Sequence, residues 1–119
     1  MNDLRALRNA ALAVLFAGCS SPAQQRSDDA ELAAMAPLKR HYSDVVMGFE
    51  VRPQDTLIVS VDLQTYIETD DDTLKAMQRE ALARWRSAWM AAHPHAHALL
   101  VVRFIDFIGR RVATESTKV

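Results

Sequence analysis

Only one cysteine, Cys19, stands in the 119 residues, so no disulfide can form within the chain and packing or association must hold the fold. Glycine is almost as scarce: of three, only Gly48 and Gly109 follow Cys19, and they lie far apart. No glycine-rich loop is there to cradle a phosphate, and no Gly-x-Ser-x-Gly turn to expose a nucleophilic serine. The one thiol apart, the parts of a familiar catalytic site are missing; Ser60, Asp62 and a distant histidine, common residue types, leave a small hydrolase only as a third reading. An excess of positive charge is lacking as well, with 14 Lys and Arg against 15 Asp and Glu. Displacing counterions from nucleic-acid phosphates needs that excess, so the balance argues against a nucleic-acid partner.

What is present begins with Arg5 and Arg8, followed by an apolar run over residues 10–17 (Ala-Ala-Leu-Ala-Val-Leu-Phe-Ala). Such a run rises only about 12 Å as helix, against a hydrocarbon core of roughly 30 Å, which suits a signal-peptide h-region and not a span. Phe16-Ala17-Gly18-Cys19 then resembles the lipobox of bacterial lipoproteins, with Phe16 where that family prefers Leu. The resemblance implies that residues 1–18 are a signal peptide cleaved before Cys19. It implies a diacylglyceryl group on the Cys19 sulfur and acylation of its amine, palmitate being such a chain. Several acyl chains anchor stably where one is marginal. Ser20, in place of Asp after the cysteine, resembles the outer-membrane signal of Gram-negative bacteria. The expected location is the cell envelope, anchored in the outer membrane and facing the periplasm.

Taking 18 residues from 119 leaves 101, and removing Arg5, Arg8 and Asp3 leaves 12 basic and 14 acidic residues, a net charge of -2 with His neutral. A single domain this small buries about two-thirds of its unfolded surface, so its stability is modest. Residues 20–27 have no apolar side chain beyond Ala23 and predict a flexible tether reaching roughly 16 Å. Ser27 reads as a helix N-cap with Asp28, Asp29 and Glu31 after it, and Leu32, Met35 and Leu38 form a weak stripe cut by Pro37. Residues 19–43 are therefore expected to hold the lipidated cysteine, the tether and at most a short helix.

Residues 44–119 are expected to form a small α+β domain. Val45, Met47, Phe49 and Val51 alternate with Val46, Gly48 and Glu50, a strand pattern, and residues 52–55 read as a turn. Residues 56–66 alternate more regularly, with Leu57, Val59, Val61 and Leu63 on one face and Thr56, Ser60, Asp62 and Gln64 on the other. That predicts a strand buried on one side. Asp70, Asp71 and Asp72 open a long helix to about His93, with Leu74, Met77, Ala81, Leu82, Trp85, Ala88 and Trp89 on one stripe and Pro94 as the stop. Residues 99–107 predict a central strand, 108–110 a turn on Gly109, and 111–117 a polar edge strand. The order β-β-α-β-β predicts two layers, a mostly antiparallel sheet of about four strands with one long helix on one face.

Three features could carry chemistry. In His93-Pro94-His95-Ala96-His97, an extended backbone would turn His95 and His97 the same way, two imidazoles suited to zinc or copper. A third ligand would have to arrive from His41, Asp62 or Asp106; the plainer reading is a solvated connector with His93 against the helix dipole. Residues 69–72 lack the alternation and central glycine of a calcium loop and read as helix capping. Trp85 and Trp89, one turn apart, read as core, unless one indole is exposed as a partner's hot spot. Arg79, Arg84, Arg86, Arg103, Arg110 and Arg111 could meet an anionic surface, although such charges usually only solvate a face. The reading that results is a small non-catalytic, lipid-anchored envelope protein that engages a protein partner, with no catalytic, cofactor or metal site. The alternative is a transition-metal binder using His95 and His97.

Overall fold

The computed structural model describes residues 21–119, so the expected signal peptide (residues 1–18), Cys19 and Ser20 lie outside the described residues. The elements are α1 (Pro22–Ala34), α2 (Ala36–His41), β1 (Val46–Arg52), β2 (Thr56–Val61), α3 (Leu63–Glu68), α4 (Asp71–Ala92), β3 (Leu99–Ile105) and β4 (Arg111–Lys118). The fold is α+β. Among the described residues, no helix is long and apolar enough to cross a membrane.

The segment expected as a tether is helical. Ser21 is the N-cap, its hydroxyl accepting from Gln24 N–H at 3.1 Å, and Pro22 occupies the first turn, where its missing N–H leaves nothing unpaired. The cap is thus Ser21, not Ser27, and the helix runs to Ala34 before Pro37 starts the short α2. Met35 and Leu38, at the junction and just beyond it, are fully buried.

In β1 the register slips between Val46 and Gly48, a bulge at Met47. The alternation that would have buried Met47 is broken there, so Val45 and Val46 are both buried and Met47 turns to solvent. The strand expected over 56–66 ends at Val61. Asp62 accepts from Thr65 N–H at 2.9 Å and from its hydroxyl at 3.0 Å, capping α3 and drawing Leu63 out of the strand. Nor is β2 wet on one side: Thr56 and Ile58 are buried too, Ile58 being flanked by Glu50 on β1 and Arg103 on β3.

The sheet order is β1-β2-β3-β4. It is mixed, not simply antiparallel: β1–β2 and β3–β4 are antiparallel, and the central β2–β3 pair is parallel. Helices α3 and α4 lie between β2 and β3 and return the chain to the starting edge, so the two strands run the same way. Asp70 caps α4, accepting from Thr73 N–H at 3.0 Å. Five residues of the expected stripe, Leu74, Met77, Ala81, Trp85 and Trp89, are buried and pack with Met35 and Leu38 over Leu57, Val59, Val61, Leu100, Val102 and Phe104, while Leu82 and Ala88 are half-buried beside them.

Candidate functional site

The carboxyl ends of the parallel strands β2 and β3 lie at one end of the molecule, and the chain leaves both through capped turns. After β2, Asp62 starts α3. After β3, Asp106 is buried and organises a five-residue turn: Oδ1 accepts from Ile108 N–H at 3.1 Å and Arg110 N–H at 2.8 Å, and Oδ2 accepts from the Arg110 guanidinium at 2.8 Å. Burial alone would raise the Asp106 carboxyl, but the Arg110 N–H, its guanidinium and the Ile108 N–H together hold it below its ordinary 3.8. Gly109 completes the turn at φ 87°, a conformation that costs other residues. Strand β3 therefore stops at Ile105, and Phe107, expected as its last residue, is the tip of the turn, 90% exposed.

Phe107 is one wall of an open cleft of about 630 Å³, lined also by Met47, Val61, Asp62, Leu63, Gln64, Ile67 and Glu68. Ile67 is 70% exposed, Met47 56%, and Ile108, beside Phe107 in the chain, 59%. Each large apolar side chain is turned out by a named device: the bulge for Met47, the short helix α3 for Ile67, the Asp106 turn for Phe107 and Ile108. The rim is acidic. Hydrogen bonds from Thr65, backbone first and hydroxyl second, hold the Asp62 carboxyl below its ordinary 3.8, and Glu68 lies one helix length further on.

The features singled out in the sequence are placed elsewhere. His93 caps α4, stacks on Trp89 with ring centroids 4.4 Å apart, and has Nδ1 2.9 Å from the Trp89 carbonyl oxygen. His95 has φ 66°, so the segment is not extended there, and His97 Nδ1 lies 3.2 Å from the Val119 carbonyl oxygen. Of the third ligands considered, His41 pairs with Glu80 at 3.0 Å, Asp62 caps α3 and Asp106 holds its turn. Among the described residues no three His, Cys, Asp or Glu converge as metal ligands. Trp85 and Trp89 are both buried, which removes the exposed-indole reading. The arginines form no single patch: Arg84 pairs with Glu80 at 2.9 Å on α4, Arg110 is held by Asp106, and Arg103 lies on the opposite face of the sheet.

A second cluster lies outside the three sequence features. Glu31 on α1 is buried against α4, with His93 Nδ1 3.6 Å from Oε1 and the Ser27 hydroxyl 3.4 Å away. Burial, the largest influence, raises its carboxyl above the ordinary 4.5, while the Trp85 indole and His93 pull it part of the way back. Trp85 Nε1 is itself buried without closing a hydrogen bond among the described residues. The spacing of Glu31 to Met35 and Leu38, four and seven residues, was the available signal that an acid sits on the apolar stripe.

Comparison with protein-family models, with curated proteins and with solved structures finds no match for this chain.

Proposed function

We propose that this protein is a small non-catalytic lipoprotein of the cell envelope, held in the outer membrane through Cys19, that binds a protein partner from the periplasmic side. The observation that supports this reading is the group of Met47, Ile67 and Phe107, all large, apolar and exposed around one cleft, with exposed Ile108 next to Phe107 in the chain. Contiguous apolar surface at the end of a small domain marks a contact with something else. The turn that presents Phe107 is rigidly made, and a preformed surface loses less entropy on binding than a mobile one.

Chemical crosslinking in intact membranes, followed by mass spectrometry, tests the proposal. The native chain is expected to begin at an acylated Cys19 and to be joined to one defined protein. Cys19→Ala should leave the membrane fraction, and Phe107→Ala should stay folded yet lose the crosslinked product. A chain still starting at Met1 with a free thiol, or a native chain that yields no product, would overturn the reading.

A further inference from the structure

The cleft combines an apolar floor with a rim of one charge. The charged residues that line it are Asp62 and Glu68, with no Lys, Arg or His among the lining residues. The guanidinium nearest in the chain to Phe107, that of Arg110, is paired with Asp106 at 2.8 Å and is not part of the cleft lining. Whatever covers Phe107 and Ile67 therefore brings its flanking groups toward carboxylates.

We infer that the cleft takes a segment of a partner protein in which a large apolar side chain is flanked by Lys or Arg. The apolar group sits against Met47, Leu63, Ile67 and Phe107, and the cations meet Asp62 and Glu68. The inference rests on the docking reading given above and specifies its chemistry. Charge complementarity selects this occupant over the others. A second copy of the chain docked through the same end would place two acidic rims against each other, because a two-fold contact pairs like with like. An anionic membrane surface would meet the same carboxylates unfavourably. A small ligand filling about 630 Å³ would leave Ile108 uncovered, outside the cleft lining.

The test uses the full acylated chain in nanodiscs and three synthetic peptides. The first carries Leu-Leu between lysines; the second has Glu for each Lys; the third has Ala for each Leu. The lysine–leucine peptide is expected to bind, with a Kd that rises with salt and is lower by about tenfold or more than that of either control. Glu68→Lys, Glu68→Gln and Phe107→Ala should each weaken it, the first most, with far-UV circular dichroism unchanged. Equal or tighter binding of the glutamate peptide, tighter binding to Glu68→Lys, or no binding of any peptide would overturn the inference. So would a concentration-dependent dimer abolished by Phe107→Ala, which would give the cleft to a second copy. If the peptides fail while the Phe107-dependent crosslink in membranes persists, the docking surface stands and only its assigned chemistry falls.

Discussion

Glu31 and Asp106 are both buried carboxylates, and their surroundings push them in opposite directions. Asp106 has a guanidinium and two N–H groups, and its folded carboxyl lies below the ordinary 3.8. Its stabilising contribution is therefore present above that value and is lost as pH falls through the folded one. Glu31 has weaker partners, and burial leaves its carboxyl above the ordinary 4.5. Its contribution is fully present below 4.5 and is lost as pH rises through the folded value. Glu31→Gln removes that loss while keeping an acceptor for the Ser27 hydroxyl. Urea denaturation should find the variant at least as stable as the native chain at pH 7, its advantage shrinking toward pH 4.5. A variant less stable at pH 7, with the deficit vanishing in acid, would show that the ionised carboxylate stabilises the fold. At Phe107 the exposure itself means that removal of the ring costs the fold little, within about 0.5 kcal/mol, so a loss of binding there is separable from a loss of structure.

Among the elements, α4 was the most legible in the sequence, because a stripe at spacings of three and four over about four turns, from Leu74 to Trp89, admits no other regular structure. Its buried face holds Trp85, fully buried in the same core as Leu57, Val59, Leu100 and Phe104 of the sheet and close to the Glu31 carboxylate. Trp85→Ala should destabilise the domain by about 3–5 kcal/mol, whereas the exposed Arg86→Ala should change stability by less than about 0.5 kcal/mol, both read from urea denaturation. Similar effects for the two would contradict the packing described. The remaining elements were legible where side-chain alternation decides and hidden where a single local device decides. Strands β2, β3 and β4 start within a residue of where alternation or the apolar run puts them, but Asp62 ends β2 early by offering the Thr65 N–H an acceptor. Ser21-Pro22 reads as a break in composition and acts as a helix start. The parallel β2–β3 pair could not be read from pattern, because strand direction follows from how the crossover returns. Met47 and Phe107, two of the residues that make the cleft, read as strand residues because nothing in their own spacing reports a bulge or a turn closed by a carboxylate.

Considered whole, the molecule is polar. The segment formed by α1 and α2 runs antiparallel to α4: Glu31 on α1 lies beside His93, and ten residues later His41, at the end of α2, lies 3.0 Å from Glu80. The start of α1 therefore sits at the end where α4 finishes, near the β1–β2 turn, where Trp89 Nε1 donates to Asp55 at 3.2 Å. The cleft lies at the opposite end, beyond Val61 and Ile105. Only Ser20 and Ser21 separate Cys19 from Pro22, and the exposed first turns of α1 make a helical stalk that rises about 20 Å over its full length. With the proposed anchor on Cys19, the acidic, apolar cleft is expected at the end of the described fold farther from the bilayer. Fluorescence quenching by a headgroup-attached quencher measures this directly. With the acylated chain in nanodiscs and a dye placed at residue 24 or at residue 107, quenching is expected to be strong at the first position and near background at the second. Equal quenching at both, or stronger quenching at residue 107, would put the cleft on the membrane and contradict the account.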